Sequence, residues 1–244
     1  MNTWVLFPPG PGPYRLAVIV HGTTESEELR RNYPEPVFEV LSSWLLNHNY
    51  AVALPQRPGH GDTGGSYLES AGSCEDAQYE DAGYATGESI QAVIDYFLSQ
   101  PFVKHQSVLL VGHSAGAWGA LALASRTSKG RVGGVINFAG GRGGRSYGVA
   151  NRNCAPDRLI RAATTYGRTT RVPTLWLYAE NDSFFAPDLS QRMADAFGAA
   201  GGPVDYRLLP PIGEEGHGLI YFPDAVRYWG PIVEKFLGKL ASHK

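Results

Sequence analysis

The sequence predicts an α/β fold, a mostly parallel central sheet flanked by helices with a small cap. Three observations predict it. Short apolar runs rich in β-branched residues alternate with stretches of helical periodicity along the whole chain. Several of the runs are continuously apolar, the pattern of strands buried on both faces. No linker, repeat or low-complexity block divides the 244 residues, a length that suits one large domain. The expected organisation is a single domain over 1–244, with 141–171 as a small cap or loop insertion.

Each element follows in order. Trp4 to Phe7 reads as a strand closed by Pro8, Pro9 and Gly10, and Leu16 to Val20 as a strand buried on both faces. Val37 to Leu46 repeats apolar residues at helical spacing, and Tyr50 to Leu54 is a second buried run. After a long polar loop, Tyr84 to Phe97 predicts a helix with Ile90, Val93, Ile94 and Phe97 on one face. Val108 to Val111 is a strand, Ala115 to Ser125 a helix of small residues, and Val132 to Phe138 a strand. Asp157 to Tyr166 reads as helix, Thr174 to Tyr178 as strand and Pro187 to Phe197 as helix. Val204 to Leu209 is the last strand and Ala225 to Leu240 the last helix. Strands joined by helical crossovers imply parallel pairing with helices on both faces.

Composition narrows the function. A 43% hydrophobic chain is not disordered, and 30 glycines without a three-residue period are not collagen-like. A net charge of −2 argues against nucleic acid as a partner, since phosphate-backbone binding needs clustered lysine and arginine. No apolar run approaches the roughly 20 residues that cross a bilayer. Cys74 and Cys154 lack neighbouring histidines, so no metal site is expected. They are two buried thiols or one disulfide, and their polar surroundings favour the bridge. Met1 to Gly10 shows no leader signature. The expected location is the cytoplasm if this is the native start, and the periplasm or outside the cell if a leader was removed and Cys74 and Cys154 are bridged.

The chemistry concentrates in a G-x-S-x-G pattern, which occurs twice: at Gly112 to Gly116 and at Gly144 to Gly148. Such a serine must sit on a sharp strand-to-helix turn, which only small neighbours permit. Ser114 follows a strand and precedes a helix, whereas Ser146 lies in a glycine-rich stretch with no helix behind it. Ser114 is the expected nucleophile. A serine hydroxyl needs a base to take its proton. His48, His105 and His243 read as surface residues, and His113 is too constrained to turn onto its neighbour. His217, in a Gly-rich loop after the last strand, is the expected base ahead of His60. Asp182, after the strand Thr174 to Tyr178, is the carboxylate that would orient it, ahead of Glu180. The Ala115 N–H and the Thr23 N–H are the expected oxyanion donors. Thr24, His60, Tyr147, Phe184, Phe185 and Tyr221 are candidate pocket residues. Arg142 and Arg145 read as solvated loop arginines or as contacts for an anionic substrate.

Five ordered segments carry a resemblance: Val18 to Gly22, Arg57 to Gly61, Gly112 to Gly116, Ala179 to Asp182 and Gly216 to Gly218. Together they resemble the α/β-hydrolase superfamily, and within it the dienelactone-hydrolase-like serine esterases. The resemblance implies a Ser-His-Asp triad, no cofactor, and hydrolysis of small or medium carboxylic esters through an acyl-enzyme. Thioesterase, small-peptide hydrolase and catalytically idle binding protein are the rival readings. Two departures stand out. True dienelactone hydrolases use a cysteine nucleophile where this chain has Ser114, and the usual leading strand pair is reduced to one strand. A missing leader would account for the second, and would favour an exported protein in which Cys74 and Cys154 staple loops beside the pocket. A small-molecule ester is the expected partner, and the oligomeric state is open.

Overall fold

The computed structural model describes residues 1–128 and 130–242; His243, read above as a surface residue, lies outside them. Among the described residues, seven strands form one sheet: Thr3–Leu6 (β1), Arg15–Val20 (β2), Tyr50–Pro55 (β3), Val108–His113 (β4), Val132–Phe138 (β5), Thr174–Ala179 (β6) and Val204–Leu209 (β7). Their order is β1-β3-β2-β4-β5-β6-β7. Every neighbouring pair is parallel except β1 with β3 at the edge. The continuous apolar runs behave as their pattern demands. All residues of β3, β4 and β6 are buried, whereas the edge strand β7 buries only Leu209.

Among the described residues, seven α-helices flank the sheet: Glu27–Arg31 (α1), Glu39–Asn47 (α2), Tyr79–Leu98 (α3), Ala115–Arg126 (α4), Pro156–Thr169 (α5), Pro187–Ala199 (α6) and Val226–Ser242 (α7). Small residues let α3 and α4 approach closely. A Cβ on Gly119 would strike the Thr86 side chain, and one on Gly87 would meet Leu123 at 3.3 Å. On α2 and α7, Trp44 and Trp229 meet edge to face at 5.6 Å. Parallel strands with such crossovers gather their following loops at one sheet edge, where binding sites form.

Three expectations are refined. The helix expected from Tyr84 begins at Tyr79, because the Tyr79 carbonyl is held from outside the helix. It accepts hydrogen bonds from Trp118 Nε1 at 2.9 Å and from the Tyr166 hydroxyl at 3.2 Å. The short helix α1 was not expected, although Ser26 caps it and Glu27, Glu28, Arg30 and Arg31 suit its dipole. Lastly, the expected cap divides. Residues 141–148 and Cys154 line the cleft, while α5 buries Leu159, Ala163 and Tyr166 completely and belongs to the helical layer. Cys74 and Cys154 are joined as a disulfide, which ties the loop after β3 to the loop after β5.

Candidate active site

Only Ser114 separates β4 from α4, so the chain reverses within one residue. Its backbone pays with a left-handed conformation, φ 53° and ψ −124°, which a non-glycine residue holds only where the surroundings enforce it. They do so here. A Cβ on Gly112 would collide with the backbone of Ala117, and one on Gly116 with the carbonyl oxygens of Val20 and His21. The Ser114 N–H donates to the Phe138 carbonyl at 3.0 Å, and its own carbonyl accepts from Trp118 N–H at 3.1 Å. The second pattern match has no such setting. Ser146 opens a single 3-10 turn, with its hydroxyl 3.6 Å from Cys74 Sγ.

His217 and Asp182 come from different loops at the same sheet edge. His217 Nδ1 lies 3.2 Å from Asp182 Oδ2. The other carboxylate oxygen accepts the N–H groups of Phe184 at 2.8 Å and Phe185 at 2.9 Å. A buried carboxylate so anchored fixes the proton on Nδ1 and leaves Nε2 unprotonated. The imidazole stacks on Phe184 at 4.1 Å and packs beside His113 at 4.9 Å. Ser114 Oγ makes no hydrogen bond among the described residues.

Two residues at this centre were missed from sequence. His113 Nε2 donates to the His217 carbonyl at 2.8 Å, tying the turn that carries Ser114 to the loop that carries His217. Burial, with His217 close by, pushes the His113 pKa down to about 3, so this donor stays neutral. Glu215 Oε1 accepts from the N–H groups of both His217 and Ser183 at 3.0 Å. Burial would raise its pKa, but these bonds and the Ser183 hydroxyl hold it below the usual carboxylate range. The neighbours of Ser114 and His217 in sequence were the only signal available for either residue.

A cleft of about 720 Å³ opens over Ser114 and Ala115, and Thr23, Thr24, Tyr147, Phe184 and Phe185 line it. Ala115 begins α4, where helix N–H groups lack intrahelical acceptors. The Thr23 N–H has no acceptor among the described residues. The loop carrying it lies against Ser114, since a Cβ on Gly22 would sit 3.3 Å from Ser114 Cβ.

Two pocket expectations are corrected. His60 is fully buried outside the cleft, and its Nε2 accepts the Thr23 hydroxyl at 2.7 Å. Burial and the adjacent Arg57 push its pKa down to about 4. Tyr221 borders a separate cavity of about 840 Å³, stacked on Phe38, with its hydroxyl 3.4 Å from His113 Nδ1. Of the two arginines, Arg142 departs from the solvated reading, and Arg145 keeps a partly exposed place on the cleft. Arg142 is buried and ion-paired with Glu69 at 2.9 Å, and Arg145 reaches Ser183 Oγ at 3.1 Å and Glu215 at 3.4 Å.

Comparison with known proteins gives a consistent picture of the fold. The model of the alpha/beta hydrolase family matches residues 17–229. No curated protein sequence matches the chain. Among solved structures, Est1E from Butyrivibrio proteoclasticus, with ferulic acid bound, is similar at 15% identity and a TM-score of 0.66, covering 98% of this chain and 95% of that one. A protein from Klebsiella pneumoniae assigned as a dienelactone hydrolase is 14% identical, with a TM-score of 0.65 over 98% of this chain and 92% of that one. The monoacylglycerol lipase of Paleococcus ferrophilus is 16% identical, with a TM-score of 0.62 over the whole of both chains. At these identities the likeness is one of fold.

Proposed function

Since the chain belongs to the alpha/beta hydrolase family, we propose that it hydrolyses carboxylic esters of small or medium acyl and alcohol groups through an acyl-enzyme on Ser114. The observation that carries this reading is the convergence of three groups at one sheet edge. Ser114 stands on an enforced turn at the cleft, and His217 is held beside that turn through His113 with Nδ1 on Asp182.

His217 Nε2 takes the Ser114 proton as Oγ attacks the ester carbonyl. The carbonyl oxygen becomes an oxyanion, received by the N–H groups of Ala115 and Thr23. Asp182 stabilises the imidazolium that forms. His217 then delivers the proton to the departing alkoxide, and water repeats the sequence on the acyl-enzyme. The aromatic rings of Phe184, Phe185 and Tyr147 supply apolar walls beside Ser114.

The test is a panel of p-nitrophenyl esters from acetyl to octanoyl, run with matched thioesters and peptide amides. Ester turnover should dominate, and Ser114→Ala should lower it by on the order of 10⁴-fold or more. Equal ester turnover by Ser114→Ala would overturn the reading. Faster turnover of thioesters or amides would redirect it to another acyl group.

A further inference from the structure

Arg57 is among the largest fully buried side chains, and it lies just outside the triad. Its Nε pairs with Glu69 Oε1, and its Nη2 lies 3.1 Å from Glu69 Oε2. The remaining donors reach the loop after β2: Nη1 donates to the His21 carbonyl at 2.6 Å, and Nη2 to the Gly22 carbonyl at 3.3 Å. The Arg57 backbone N–H donates to His21 Nε2 at 3.0 Å. His21 Nε2 is therefore an acceptor, and its proton sits on Nδ1, 2.6 Å from the Gly22 carbonyl oxygen. Burial and the neighbouring Arg57 push the His21 pKa well down, which keeps this tautomer neutral.

The Gly22 carbonyl thus accepts two hydrogen bonds, one from a cation. That carbonyl and the Thr23 N–H are the two ends of one planar peptide unit. Fixing the oxygen fixes the direction of the N–H, and drawing charge onto the oxygen makes the N–H a stronger donor. Charge balance points the same way. Glu69 is shared between Arg57 and Arg142, so two buried cations face one anion. The positive charge left over sits behind the loop that touches Ser114. Burying it is unfavourable in the resting protein, and an oxyanion forming at Ser114 would relieve that penalty.

We propose that Arg57 is a positioning residue of the oxyanion site, orienting and polarising the Gly22–Thr23 peptide so that the Thr23 N–H receives the developing negative charge. The proposal rests on the ester-hydrolase reading above.

The experiment compares the unsubstituted protein with Arg57→Lys, which keeps the charge but cannot span Glu69 and both carbonyls. The readouts are kcat, KM and affinity for an aryl trifluoromethyl ketone. That ketone takes up Ser114 Oγ at its carbonyl carbon, passes the serine proton to His217 and leaves an oxyanion. Arg57→Lys should lower kcat by about 10- to 100-fold, with KM within about twofold and ketone affinity falling in step with kcat/KM. A loss confined to KM, or ketone affinity unchanged while kcat falls, would overturn the proposal. If Arg57→Lys does not fold, the unsubstituted protein still decides by NMR. The Thr23 amide proton should move downfield when the ketone binds, and the His21 ring should carry its proton on Nδ1. An unmoved resonance, or a proton on Nε2, would refute it. An unsubstituted protein inert to esters and ketone alike would instead remove the ester-hydrolase reading.

Discussion

The two oxygens of Asp182 have separate tasks. One is spent on the backbone N–H groups of Phe184 and Phe185, the other on His217 Nδ1. Asp182→Asn preserves the size of the side chain while removing the charge that opposes an imidazolium. Under the proposed chemistry it should lower kcat by on the order of 10³- to 10⁴-fold, with KM and the melting temperature nearly unchanged. Steady-state kinetics beside a thermal melt check this, and an unaltered kcat would take Asp182 out of the site. Ser114, Asp182 and His217 were legible as candidates because each sits directly after a strand or in a loop that a parallel sheet must send to its working edge. His60, Tyr221 and Arg142 were not, because the direction of a loop side chain depends on partners remote in sequence. His60 is turned inward by Thr23, Tyr221 lies on Phe38, and Arg142 is drawn under the cleft floor by Glu69.

The turn between β4 and α4 shows how elements place that chemistry. Helix α4 meets the end of β2 so closely that Gly116 has no room for a methyl group beside the Val20 and His21 carbonyls. Gly116→Ala should therefore destabilise the fold by about 1–3 kcal/mol. It should also depress activity more than stability, since it displaces both Ala115 and the loop bearing Thr23. Chemical denaturation and ester kinetics measure the two effects, and a neutral Gly116→Ala would contradict the packing argument. At this scale the strands were legible almost to the residue, because continuous apolar runs bounded by polar turns leave little choice. Helix starts were less so. The first turn of α3 is fixed by Trp118 and Tyr166, contacts that no local pattern announces. The five-residue α1 has too short a periodicity to register, despite its Ser26 cap.

For the whole molecule, the working edge of the sheet is held by neutral buried histidines and by one buried ion cluster. Burial pushes His21, His60 and His113 below their ordinary value near 6.5. Each is uncharged when folded at mildly acidic pH, whereas the unfolded chain protonates it below about 6.5. Stability is therefore full above that value and falls as pH drops towards about 4, by up to about 1.4 kcal/mol per pH unit for each histidine. Glu69 acts in the same direction at lower pH, because Arg57 and Arg142 hold it below the usual carboxylate range against the opposing effect of burial. Urea denaturation at pH 7 and pH 5 should show a clear loss at the lower pH, and equal midpoints would mean that these histidines are not buried uncharged. A parallel sheet read from sequence brings Ser114, Asp182 and His217 to one edge, but this electrostatic frame beneath them depends on three-dimensional pairing alone. The central claim, a single serine made reactive by His217, is tested most directly by intact-protein and peptide mass spectrometry after treatment with a fluorophosphonate. One adduct should form, on Ser114, and should be lost in His217→Ala; labelling at Ser146, or none at all, would contradict it.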